Sequence, residues 1–338
     1  MKQRVFEEQR SARWDEFAAL VDRLDASTGR RRATVDRTAF ADFPERYREL
    51  CRDLAVASER HYSLRLLDRL NRLALDGHRI LYTRDSSIAL RSVRFFAWDF
   101  PRAVRRDGLA VAIATALFLV PGLVVAAMVA WSPELVYSVI PGGQVQEFEE
   151  MYDPAARVLG ENRDAGTDMA MFGFYIMNNI GIAFRAYASG LIFGLGSVFV
   201  LVQNGFLLGG VAAHLVSIGF TVTFASFVIG HGAFELTAIV LSGAAGLRLG
   251  WSLIAPGART RWASLRQAAS ETVTIVYGVF AMLVVAALLE AFWSSKGAVL
   301  PEIKFAVGGV FWALVFAYFA FVGRGTKAVD RTGGGDGR

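Results

Sequence analysis

Residues 109–131 read LAVAIATALFLVPGLVVAAMVAW, an uncharged stretch of 23 residues. At 1.5 Å per residue, a helix of this length crosses a hydrocarbon core about 30 Å thick. The rest of the chain agrees with that reading. Of its 338 residues 54% are hydrophobic and 12% aromatic, and the mean hydropathy is +0.38, more apolar side chain than one soluble domain of this length needs. The fold class expected is an all-α, polytopic helical membrane protein of about six transmembrane helices, preceded by a cytoplasmic helical bundle.

Charge gives the expected orientation. The net charge is +5, but it is unevenly placed, and that argues against a nucleic-acid partner. Residues 1–108 carry 23 Lys and Arg against 17 Asp and Glu, whereas 132–168 carry 2 against 8. Residues 248–271 and 324–338 are again basic. Basic and acidic segments thus alternate across apolar ones, as the positive-inside rule requires. The first residues, MKQRVFEEQRSARWDEF, are too charged for a cleavable signal, so the first apolar span is expected to direct its own insertion. Cys51 is the single cysteine and is read as a small core residue, with no call for an oxidising compartment.

Working outward from 109–131, residues 1–85 read as a cytoplasmic helical domain. FAALVDRL, PERYRELCRDLAVA and YSLRLLDRLNRLAL place apolar residues at helical spacing, with STGRRRATVD as the clearest break. Residues 86–106 set Arg94, Phe95, Phe96, Trp98, Phe100, Arg105 and Arg106 together, the mixture that lies flat at a headgroup boundary. They are expected to form an interfacial elbow helix on an anionic inner leaflet. Residues 107–325 are the membrane domain, with 132–168 as an acidic extracytoplasmic loop, and 326–338 a disordered tail. Within the membrane domain the later crossings fall at 187–203, 205–222, 225–247, 273–293 and 305–323. MFGFYIMNNIGIAFR, 171–185, is left as a re-entrant or interfacial helix on the outer side, because two asparagines and an arginine suit lipid poorly.

Three glycine pairs at a spacing of four, Gly190 with Gly194, Gly205 with Gly209 and Gly246 with Gly250, each put two small residues on one helix face. They point to close packing inside the bundle, with association of two copies as the alternative. Polar residues are rarer: Asn178, Asn179, Arg185, Gln203, Asn204, His214, His231 and Glu235. Such groups are costly at membrane depth and mark a candidate cluster. His231 and Glu235, four apart in HGAFEL, share a helix face and can hydrogen-bond directly. Three readings stand open: a structural clasp, a proton- or substrate-handling site in a hydrated cavity, and a metal-dependent intramembrane hydrolase. For the last, HxxxE supplies only two ligands and no second Asp or Glu is near in the sequence, so no metal, cofactor or catalytic residue is assigned. No P-loop, dinucleotide fingerprint or Ser-His-Asp set occurs. The strip from Arg248 through LRLGWSLIAPGARTRWASLRQA reads as a lipid-contacting or partner-docking face.

NNIGIAFRAYASGLIFGLGSVFVLVQNGFLLGG, followed by HGAFELTAIVLSGAAGLRLG, resembles the membrane core of the stage II sporulation protein M family. The elements of the likeness are Asn178 and Asn179, Gly190 and Gly194, Asn204, Gly205 and Gly209, and His231, Gly232 and Glu235. It extends over about residues 90–325. It implies a bacterial inner-membrane scaffold or anchor for partner proteins, in the namesake a cell-wall remodelling complex and in relatives a system with an AAA+ ATPase. The long amino-terminal bundle departs from the sporulation member. Function is therefore expected to be a non-enzymatic scaffold in the cell envelope, able to form homo-oligomers, with a transporter or channel-like protein as the alternative.

Both termini are expected inside and residues 132–168 outside. A cysteine introduced at Gln146 should react with an impermeant thiol reagent in intact cells; protection until the cells are broken would overturn this topology.

Overall fold

In the computed structural model the described residues are 3–26, 42–82, 85–155 and 165–324. The expected break at 27–36 and the tail 326–338 lie outside them, as do residues 156–164 of the acidic loop. The described residues are helical with no strand, and the chain divides into two units, Met1–Val93 and Arg94–Arg338.

The first unit contains α1 (Gln3–Ala26), α2 (Phe43–Glu59), α3 (Leu64–Tyr82) and most of α4 (Asp85–Arg94). Its core buries Phe6, Trp14, Phe17 and Phe43 together with Leu50, Leu66 and Leu70; Phe17 packs on Phe43 at the start of α2 and Phe6 on Tyr62 beyond its end. The buried Asp53 carboxylate is satisfied by the Trp14 indole N–H at 2.9 Å and by Arg10, so a charge inside a small core keeps its partners. Cys51 is half-buried rather than a core residue, since α2 turns Leu50, Asp53 and Ala57 inward.

The second unit begins with a π-helical turn, Phe95–Asp99, and α5 (Phe100–Arg106). The aromatic residues expected at a headgroup boundary part company here. Phe100 is 1% exposed and fills the space over Gly278, against Tyr318 and Phe319, so it is a core residue. Phe95 stacks on Phe100 and packs with that core; Phe96 is exposed, and Trp98 lies under the Arg102 guanidinium. The extra residue in a π turn rotates the helix face, which separates rings adjacent in sequence. Arg102 and Arg105 donate to the carbonyls of Gly323 and Phe319, both at 2.8 Å, and so cap the carboxyl end of the last helix. Arg94 is exposed, and Arg106 reaches Asp107 and the Glu271 carbonyl.

The remaining helices are α6 (Gly108–Trp131), α7 (Val136–Val139), α8 (Gly142–Tyr152), α9 (Ala165–Ala188), α10 (Leu195–Ser217), α11 (Thr221–Ile254), α12 (Arg261–Leu289, continued by a π turn, Glu290–Ser294) and α13 (Pro301–Phe321). Among the described residues five helices, 108–131, 195–217, 221–254, 261–294 and 301–321, are long and apolar enough to cross a membrane. The crossings expected at 187–203 and 205–222 are divided differently: 187–188 end α9, 189–194 form a turn and 195–217 is one helix, α10, while the expected re-entrant segment 171–185 lies within the 24-residue α9. The break falls at 189–194, where a 3-10 turn ends in Gly194 at φ 82°, a left-handed backbone that glycine adopts without strain. Hydropathy alone does not locate this break, because the turn SGLIFG is itself apolar.

Close helix approach is set by glycine. A methyl on Gly205 would overlap the Phe118 carbonyl oxygen, and one on Gly209 the Gly122 carbonyl oxygen, which seats α10 against α6. Gly190 meets the backbone of Gly246, and Gly250 that of Gly194, seating the 189–194 turn against α11. Gly232 meets only side chains of its own helix. At the end of the bundle where α6 begins, Arg248 joins Asp107 at 3.1 Å and Glu271 at 3.3 Å, tying three helices through one cation.

Gly209→Ala is expected to cost about 1–3 kcal/mol, because a backbone carbonyl cannot yield as a side chain can. Gly173→Ala, with nothing within 4 Å of the new methyl, should be neutral or stabilising by up to about 1 kcal/mol through helix propensity. Denaturation of the two variants in the same detergent decides between these outcomes.

Candidate functional site

The polar residues singled out by sequence fall into three places. The first is a buried corner where α9, α11 and the π turn after α12 meet. His231 and Glu235 lie about 15 to 21 Å along α11 from its first residue, well inside a spanning helix. The third acid comes from far along the chain. Glu290, 8% exposed, is brought by the π turn so that ligand atoms of His231, Glu235 and Glu290 all lie within 4.8 Å of one another. The absence of a second acid near HGAFEL in sequence is therefore corrected by the fold. Gly230 makes room for this, since a Cβ there would stand 2.6 Å from the Trp293 ring of the same π turn.

The direct His231–Glu235 hydrogen bond allowed by their spacing is not among the bonds formed. His231, 5% exposed, instead shares a 3.2 Å hydrogen bond between Nδ1 and Ser294 Oγ, and its ring packs edge-on against Phe227. Lys304, on α13, donates to the Ser294 carbonyl at 2.7 Å. Asn179, 2% exposed, turns its amide toward both Glu235 and Glu290, while its Oδ1 accepts from Asn178 Nδ2 at 3.0 Å. Two buried polar atoms here have no hydrogen-bond partner among the described residues: Asn179 Nδ2 and Glu290 Oε2. Tyr152, from α8, approaches the same corner; burial first, then the Glu290 carboxylate, pushes its phenol above the usual range.

The second place is a lateral cavity of about 720 Å³ between α9 and α10, lined by Asn178, Arg185, Gln203, Asn204 and Gln144 among apolar residues. The Arg185 guanidinium makes no hydrogen bond or ion pair among the described residues and does not reach Glu235, so it takes no part in a clasp. Asn178 belongs to both places: it lines the cavity and holds Asn179. The third place is the end of α10, where His214 meets Glu149 of α8 at 2.6 Å beside Tyr137. Sequence reasoning missed Glu290 and Tyr152. The signal for Glu290 was a lone carboxylate in the apolar run AALLEAFW.

With this geometry in view, the stage II sporulation protein M family matches residues 114–295, more than half of the chain. The chain belongs to that family. Glu290 falls inside the matched region, together with Asn179, His231 and Glu235. A second family, described as a domain of unknown function (DUF8413), matches residues 4–83. No curated protein and no solved structure matches the chain. Family membership and the apolar helices make this a membrane protein.

A double-mutant cycle tests the bond that replaces the expected one. His231→Ala and Ser294→Ala should couple by about 0.5–1.5 kcal/mol in unfolding free energy. Strict additivity would show that the Nδ1–Oγ contact carries no stability.

Proposed function

We propose that the protein is a six-pass bacterial inner-membrane protein with both termini cytoplasmic, in which the lateral cavity binds an anionic polar solute and passes it across or into the bilayer. The observation that carries this reading is Arg185, without a hydrogen-bond or ion-pair partner among the described residues, beside Asn178, Gln203 and Asn204 around a cavity at membrane depth. A guanidinium facing lipid is expensive, whereas one facing water in a cavity is a ready anion partner. The crossing count follows if α9 spans together with the five more apolar helices; an even number then returns the chain to its starting side. The chain Asn178–Asn179 leads from the cavity to the Glu235 and Glu290 corner, so that what occupies one can bias the other.

A second reading has its own support. The amino-terminal unit has a separate core and a separate family match, as a docking module of a scaffold would. In that case a membrane partner, or a second copy, covers the Arg185 face.

Asn204→Cys in a Cys51→Ser background separates the two. The solute-binding reading predicts labelling by an impermeant thiol reagent in intact membranes, much faster than at Leu123→Cys on the exposed flank of α6. Labelling that begins only after detergent extraction would remove that reading and favour a covered face.

A further inference from the structure

The buried corner invites a different ligand from the cavity. Its donor set is one imidazole and two carboxylates, drawn from α11 and from the π turn that follows α12. An unsatisfied acceptor points inward. Glu290 Oε2 is buried and has no hydrogen-bond partner among the described residues, while the buried Asn179 amide, a donor that cannot itself ligate a cation, faces both acids. Among the described residues no cationic side chain is turned onto the two acids. Lys304 spends its ammonium on the Ser294 carbonyl, and Arg185 lines the lateral cavity. Two carboxylates in a low-dielectric interior need a counter-charge. Protons can neutralise the two acids; a divalent cation neutralises both and also gives Glu290 Oε2 the partner it lacks among the described residues.

We propose that His231, Glu235 and Glu290 bind a divalent first-row transition ion, such as Zn²⁺ or Mn²⁺. Nitrogen and carboxylate oxygen donors suit these ions. Because His231 Nδ1 is engaged by Ser294, Nε2 is the nitrogen left to ligate, and the Ser294 hydroxyl is the outer hydrogen bond that fixes a ligating imidazole. Tetrahedral donors at about 2.1 Å from an ion stand about 3.4 Å apart, so closure asks for side-chain movements on the order of 1 Å. Three protein ligands leave at least one coordination position open. Asn179 steadies the two acids from the third helix. The ion would join α11 to the end of α12 across the membrane interior, and its occupancy would add to stability by mass action. This site does not depend on the lateral cavity being hydrated or on what fills it.

The test uses the full chain, purified without a histidine tag, stripped with chelator and titrated separately with Mn²⁺, Co²⁺ and Zn²⁺. Metal content and thermal midpoint are followed together. One ion per chain and a rise in midpoint are expected, with Co²⁺ giving the visible absorption of a nitrogen and oxygen site. Glu290→Gln and Glu235→Gln should lose the ion, Asn179→Ala should bind it about 10- to 100-fold more weakly, and His61→Ala should bind normally. Helical content of the stripped variants checks folding, and the Co²⁺ spectrum of the unaltered protein reports on the site should a variant not fold. Failure of the unaltered protein to hold any of the three ions stoichiometrically would overturn the proposal, as would binding left unchanged in both glutamine variants.

Discussion

The structure of the membrane unit depends on backbone meeting backbone. Lipid removes the hydrophobic drive between helices, and what remains is dispersion and polar contact, both of which demand close approach. At Gly205 and Gly209 against α6, and at Gly190 and Gly246 across the 189–194 turn, the space for a single methyl is absent. These contacts fix the depth at which α9, α10 and α11 sit relative to one another. The polar corner is possible only because that depth is fixed.

The corner and the cavity illustrate two ways a membrane interior tolerates polarity. Around Arg185 the groups are exposed at the side of the bundle, and their solvent or partner comes from outside. Around Glu290 they are enclosed, and any compensation has to come from within: an amide, an imidazole, a tyrosine from α8, or an ion. The Asn178–Asn179 pair joins the two environments through one 3.0 Å hydrogen bond. Adjacent residues on a helix point about 100° apart, so a double asparagine can line a cavity with one side chain and a buried site with the next.

The elbow shows how local composition can mislead. Phe95, Phe96, Trp98 and Phe100 look alike beside their arginines, and an amphipathic surface helix accounts for them economically. The π turn assigns them different environments, and Arg102 and Arg105 serve the carboxyl end of α13. Nothing in the spacing of the rings indicates the turn, because a π turn adds one residue without a compositional mark.

From sequence alone came the helical membrane class, the family, the close-packing glycines as a set, and seven of the residues at the cavity and the corner: Asn178, Asn179, Arg185, Gln203, Asn204, His231 and Glu235. Those rest on local facts, such as length of apolar run, spacing along one helix and the cost of a charge in hydrocarbon. The tertiary structure alone decided that a single helix, 195–217, runs through the boundary between two expected crossings, that His231 bonds Ser294 rather than Glu235, and that Glu290 completes the corner from 55 residues further along the chain. Such pairings depend on which helix faces pack together. That is set by the summed fit of many small contacts across the bundle, and no window of sequence contains it.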